Sequence, residues 1–355
     1  MFETNKEKIL SLQAGRAIAA IAVAVAHSAS STLDFIGAFP HPLNDILEHG
    51  WLGVDFFFVL SGFIIYHTTR MKPIGSAGAR AYGRSRLIRI FVPFLPISIV
   101  MIAAYSLLPG LSATSRDWSL LASLTLLPVG QPALTVAWTL QHEMMFYAIF
   151  ALGFFTGRLW TVIAIWGGVI VAGIALGWQH AGPFRYFLSP IDLEFIFGIA
   201  CAILVFRPFR FDVWLYSVVA VVAFALWAAY GFQRSHSPIA GFGIAALIIP
   251  IVRLELAGRL AVPRFAVFLG AASYAIYLIH NPLLSISARI AARVPLLSDI
   301  YVATLLGVIA TIIAGCLYHI WFEKPVSRYI NRRLSRRATP IAAGPHPVAA
   351  ASEVR

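Results

Sequence analysis

The sequence predicts an all-α fold: a polytopic transmembrane helix bundle of about ten spans, with its N- and C-termini in the cytosol. Three observations predict it. Hydrophobic residues make up 59% of the 355 and charged residues only 12%, with a mean hydropathy of +0.81. Soluble domains carry about a quarter charged residues, so this little polar surface suits a bundle whose solvent is lipid. Ten apolar runs recur, each close to the roughly 17–25 residues that a membrane-crossing helix needs. Finally, lysines and arginines collect in alternate loops, as the positive-inside rule requires.

The runs lie at about 12–32, 51–69, 88–108, 134–155, 159–177, 188–206, 213–231, 237–252, 265–287 and 300–322. The runs at 159–177 and 237–252 have Gly or Pro close to their ends. Trp118–Leu127 is too short to span and reads as an interfacial or re-entrant segment. With the N-terminus inside, 22 of the 27 lysines and arginines fall in inner segments. Only Arg116, Arg185, Arg234, Arg289 and Arg293 fall outside, and omitting one helix would invert the pattern downstream. The net charge of +12 is thus spread over short loops, which argues for membrane orientation and against a nucleic-acid partner.

Cys201 and Cys316 sit inside apolar runs and read as small buried residues, without the number or spacing of a disulfide framework or a zinc site. The first run is long enough to span and has no clean cleavage site, so no cleavable signal peptide is expected. Residues 1–334 read as the transmembrane domain and 335–355 as a disordered cytosolic tail; no internal repeat and no second soluble domain is expected.

Ionisable groups at membrane depth are costly and by default face a bundle interior or a cavity. Arg16 and His27 share the first helix. Eleven positions at 100° each return to within about 20° of the same face, and the two lie about 16 Å apart along the axis. Asp55, Glu143, Glu194 and His280, from four other helices, fall at a depth similar to His27. Together they suggest one polar cavity open to the outer half, although Asp55 and Glu194 read equally well as helix-terminal or interfacial charges. A second layer is basic and cytosolic. Arg86 and Arg89, three apart on one side of the third span, suit phosphate oxygens, while plain positive-inside anchoring also accounts for them. Ser61-Gly62 reads as a close helix-packing contact, and Phe322-Glu323-Lys324-Pro325 as the end of the last helix, with Glu323 paired to a neighbouring cation.

At these residues the chain resembles the acyltransferase-3 family of membrane O-acyltransferases, which acetylate bacterial exopolysaccharides and O-antigens. The resemblance spans most of residues 11–326 and rests on six motifs in family order: Arg16 with His27, Gly53 to Phe63, Arg86 with Arg89, Trp138 to Tyr147 including Glu143, Ser273 to His280, and Phe322 to Pro325. One departure is Ser85-Arg86 where the family often has two adjacent arginines, with Arg84 one position away.

The resemblance implies a multi-pass protein of the bacterial inner membrane. The expected donor is acyl-CoA, most often acetyl-CoA, and the expected acceptor a sugar or polysaccharide hydroxyl, with polysaccharide-assembly machinery as a candidate partner. It implies no metal and no bound cofactor. Arg16, Arg86 and Arg89 would hold CoA phosphates. Burial favours neutral imidazole, so His27 would act as general base, oriented or recharged by Glu143. Asp55, Glu194 and His280 are candidate acceptor or cavity residues. The competing reading is a proton-coupled transporter of a polysaccharide or lipid-linked sugar, with a binding scaffold third.

Overall fold

The computed structural model describes residues 9–108, 117–178, 186–207 and 212–337. Lys6, Lys8, Arg116, Arg185 and Arg210 lie outside them, as does the expected tail beyond Arg337. All regular secondary structure among the described residues is helical.

Ten helices among the described residues fall on the ten apolar runs: α1 (Leu10–Phe35), α3 (Leu52–Thr69), α4 (Ser76–Leu107), α6 (Trp138–Phe155), α7 (Leu159–Ala175), α8 (Leu193–Val205), α9 (Asp212–Ala229), α10 (Ser237–Leu256), α11 (Arg264–Ala291) and α12 (Ile300–Tyr318); α4 starts well before its run because its first turns carry the basic residues Arg80, Arg84 and Arg86. The short helices α2 (Leu43–Glu48) and α5 (Leu120–Thr125) are connectors, α5 falling inside the segment judged too short to span. Six segments are long and apolar enough to cross a membrane: Leu10–Phe35, Leu43–Thr69, Ser76–Leu107, Ser237–Leu256, Arg264–Ala291 and Ile300–Leu334. Helices α7 and α9 contain shorter apolar stretches. The bundle exterior carries exposed Val100, Ile165, Val221, Leu305 and Ile313, the surface of a multi-pass membrane protein.

Side-chain pairings give the relative directions. Phe58 meets Phe195 and His67 meets Phe206, so α3 and α8 run parallel. His142 pairs with Asp192 and Phe146 stacks on Phe195, so α6 follows α8. Glu194 abuts Gly241 and Arg253 donates to the Leu204 carbonyl, so α10 does too. Between such parallel neighbours, α4, α7 and α9 each carry the chain back. Helix α1 runs against α3, with Gly53 on Ala19 and Gly15 on Phe56, and α11 runs against α12, with Ile276 on Gly315 and Leu284 on Gly307. The ten helices therefore alternate in direction through the bundle.

Lipid offers little drive for helix association, so close packing of small residues supplies it. A Cβ at Gly62 would stand 2.0 Å from the Phe195 carbonyl oxygen, and one at Gly198 1.9 Å from that of Val59. At Gly270 it would stand 1.9 Å from the Gln13 carbonyl, which seats α11 on α1. Gly62 thus has the packing role read for it. Ser61 does not share it: its hydroxyl donates to Glu143 at 2.9 Å.

Two further expectations change. Phe322-Glu323-Lys324-Pro325 does not end the last helix: a π-helical turn, His319–Glu323, leads straight into α13 (Lys324–Arg337). Pro325 falls in the first turn of α13, where a missing N–H costs little, and Glu323 pairs with His319 at 2.7 Å. Helical chain therefore continues past residue 334, into the stretch assigned to the tail. Cys201 is buried as expected but Cys316 is only half-buried, and both are free.

Gly198→Val is expected to cost at least the roughly 1–3 kcal/mol of ordinary overpacking. The check is the melting temperature of purified protein in detergent, with Gly83→Ala as the neutral control because nothing lies within 4 Å of that position.

Candidate active site

A cleft of about 740 Å³, counted out to its mouth, opens among α1, α3, α4, α6 and α11. Helix α1 contributes Arg16, buried and donating from Nε to Ser273 Oγ at 3.1 Å. Helix α4 contributes Arg86 and Arg89, brought to one side by their three-residue spacing. Arg86 is buried: its Nη2 donates to Thr68 Oγ1 at 3.5 Å, and its guanidinium lies 5.6 Å from the Tyr82 ring and 5.9 Å from that of Tyr147. Arg89 lines the cleft and keeps exposed surface, whereas Arg84 is exposed and does not line it. In the turn after α3, the Lys72 ammonium is lowered from its ordinary pKa, first by burial and then by the charge of Arg86.

Among the described residues, Glu143 of α6 is the one carboxylate on the cleft wall. It accepts hydrogen bonds from Ser61 and from Tyr147 one turn along the same helix. The far end is aromatic. Tyr277 shares a 2.9 Å hydrogen bond with Thr139, both hydroxyls reach the Val136 carbonyl, and the Phe57 ring lies 6.0 Å from that of Tyr277.

Neither His27 nor His280 lines the cleft; they sit behind its aromatic end. The His280 ring is 5.3 Å from that of Tyr277, and the His27 ring meets it edge-on at 4.9 Å. Arg16 and His27 do share a face of α1, both turned toward α11. Asp55 and Glu194 are absent from the lining too. They are fully buried and act on each other electrostatically, with Ser237 and the His142–Asp192 pair (2.9 Å) beside them. The single cavity expected from residue depth is therefore three separate polar groups: the arginine–glutamate cleft, the histidine pair and a buried acid cluster.

Tyr147, Tyr274, Tyr277 and Thr139 were not singled out from the sequence. Tyr147 carried a signal, four residues after Glu143 and hence on its face. The tyrosines of α11 lay in plain view within Ser273–His280.

This arrangement joins a guanidinium-lined inner cleft to paired imidazoles, in the order of the sequence motifs. A family profile described as an acyltransferase domain matches residues 9–319. The chain belongs to the acyltransferase-3 family. It is an O-acyltransferase, and the transport reading of its buried charges gives way to chemistry. The acyltransferase is 28% identical over 323 residues to the exopolysaccharide production protein ExoZ of Rhizobium meliloti (strain 1021), covering 83% of this chain and 94% of that protein. It is 28% identical over 389 residues to the acyltransferase MdmB of Streptomyces mycarofaciens, covering 96% of each. No solved structure matches it.

If the acid cluster serves the fold, Asp192→Ala in this acyltransferase costs about 1–3 kcal/mol, since it orphans a buried imidazole. The expected outcome is a lower melting temperature with an unaltered midpoint for binding of the acyl donor. Weakened binding at unchanged stability would assign the cluster to the ligand instead.

Proposed function

We propose that this acyltransferase works in the bacterial inner membrane and moves an acetyl group from cytosolic acetyl-CoA to a hydroxyl of an exported or cell-surface polysaccharide or glycoside. The observation that carries the donor assignment is the convergence of Arg16, Arg86 and Arg89 on a cleft with a single carboxylate. Arg16 and Arg86 are buried, and cations withdrawn from water are costly unless paired. The phosphates of CoA would pair them, with forked guanidinium hydrogen bonds to phosphate oxygens. The printed role of ExoZ in exopolysaccharide production supports the acceptor class.

The same reading has all ten helices crossing the membrane and both termini in the cytosol. Support comes from their alternating directions and from the loop charges. Helix α8 has only 13 residues and α7 has 17, yet the parallel courses of α6, α8 and α10 need α7 and α9 as return passes.

His27 is the proposed general base. Its Nδ1–H donates to the Val23 carbonyl at 3.0 Å, which leaves the lone pair on Nε2. The acceptor's hydroxyl proton passes to Nε2 and the oxygen attacks the thioester carbonyl. The C–S bond then breaks, and the departing CoA thiolate takes the proton. Glu143, first expected beside His27, is assigned to the cleft instead, where it fixes Tyr147 and Ser61 and acts electrostatically on Arg16 and Arg89.

In lipid nanodiscs, CoA should raise the melting temperature of the wild type. Arg86→Ala with Arg89→Ala should raise the half-saturating CoA concentration about tenfold or more, the equivalent of 1.4 kcal/mol. His27→Ala should keep CoA binding and lose about 10²–10⁴-fold in transfer, seen as missing O-acetyl signals in NMR of cell-surface polysaccharide. Intact acetylation in a well-inserted His27→Ala protein would remove His27 from the chemistry.

A further inference from the structure

Outside the acid cluster, His280 is a buried titratable group that this mechanism leaves unused. It is 1% exposed. Its Nδ1 lies 2.5 Å from the Tyr277 carbonyl, an acceptor only, so Nδ1 carries the hydrogen and Nε2 the lone pair. That Nε2 is buried and has no hydrogen-bond partner among the described residues. A buried polar atom without a partner costs free energy and calls for an explanation.

The neighbour supplies one. His27 meets the His280 ring at 4.9 Å and 77°, and spends its own Nδ1–H on a backbone carbonyl in the same way. Two neutral imidazoles so fixed offer lone pairs and no further N–H to each other. One added proton changes this: the first imidazole to take it gains an N–H that the second can accept. Candidate carboxylates lie elsewhere: Glu143 accepts from Ser61 and Tyr147, and Glu194 packs against Gly241 of α10.

We propose that His280 is a positioning residue for His27, its Nε2 accepting the N–H that His27 gains from the acceptor hydroxyl, so that an imidazole pair holds the proton in transit. The step balances. The proton leaves the hydroxyl oxygen for His27 Nε2, is shared with His280 while the new C–O ester bond forms and C–S breaks, and ends on the thiolate sulfur. No oxidant, metal or second base is required. Helix α11 holds His280 one turn beyond Tyr277, so the pair stands directly behind the aromatic end of the cleft. The proposal rests on the reading of His27 as base.

The test compares His280→Gln and His280→Phe in nanodiscs, measuring CoA release from acetyl-CoA with de-O-acetylated polysaccharide of the producing strain. Gln keeps a carbonyl that can accept an N–H, whereas Phe keeps ring volume without a lone pair. Phe is expected to lower kcat roughly 10²-fold, with KM for acetyl-CoA and the CoA-induced melting shift unchanged, and Gln is expected to recover a substantial part of the rate. A purely structural His280 gives the reverse order, with Phe near wild type, or a loss in both that follows melting temperature; either overturns the proposal. If the wild type neither binds CoA nor transfers, the functional reading falls and this one with it. An active wild type, an inactive His27→Ala and a fully active His280→Phe overturn the pairing alone.

Discussion

Everything at the site depends on the seam between α1 and α11. Gly270 has no side chain, and the Gln13 carbonyl sits where a Cβ would be, so the two backbones touch. From that contact they run in the same direction. Arg16 meets Ser273 near one end, and His27 meets His280 further along. The spacing is unequal, eleven residues on α1 against seven on α11, as expected of helices that cross rather than lie flush. A helix pair of this kind holds two chemically different rungs at a fixed separation without help from loops. The other walls of the cleft, α3, α4 and α6, are arranged around this seam and supply what it lacks: two more cations, one carboxylate and the aromatic end.

Legibility in the sequence followed the range of the physics. Hydropathy and helical period are local, so nine helices could be placed within about five residues, whereas the polar start of α4 at Ser76 lies outside its apolar run; the co-facial Arg16 and His27 followed from counting. Depth along the membrane normal is nearly local too, and it put His27, Glu143, Asp55, Glu194 and His280 in one slab. What a single sequence does not carry is azimuth, meaning which way each helix is turned about its own axis relative to its neighbours. That missing angle separates Glu143 in the cleft from His280 beside His27, and both from the Asp55–Glu194 pair. Ser61 and Gly62 show the same limit at one-residue scale. Adjacent in sequence, they point about 100° apart, and one serves packing while the other serves the cleft.

Charge balance within the bundle is uneven by construction. The acid cluster of Asp55, Asp192 and Glu194 is sealed among α3, α8 and α10 with His142 and Ser237 beside it, whereas the guanidinium groups line an open cleft. Acids are thus internal fittings of the scaffold, and cations are left where a ligand can reach them. The glycine contacts keep this segregation firm. With α3 and α8 touching through Gly62 and Gly198, Asp55 and Glu194 cannot drift toward the cleft without breaking backbone packing.

At the opposite end of the seam from the histidines, Glu255 at the end of α10 accepts hydrogen bonds from the backbone N–H groups of Leu10 (2.6 Å) and Ser11 (2.8 Å), closing the first turn of α1. A carboxylate suits the positive end of a helix, but this one lies about 245 positions downstream. The consequence concerns biogenesis. Helix α1 leaves the ribosome well before α10 and α11, which supply its cap and its seam partner. Until they arrive, it must wait in the bilayer with Arg16 lacking Ser273 and its first amides uncapped. Helix α1 is therefore inserted before the segments that lock it, and its packing is complete only once α10 and α11 have both been made.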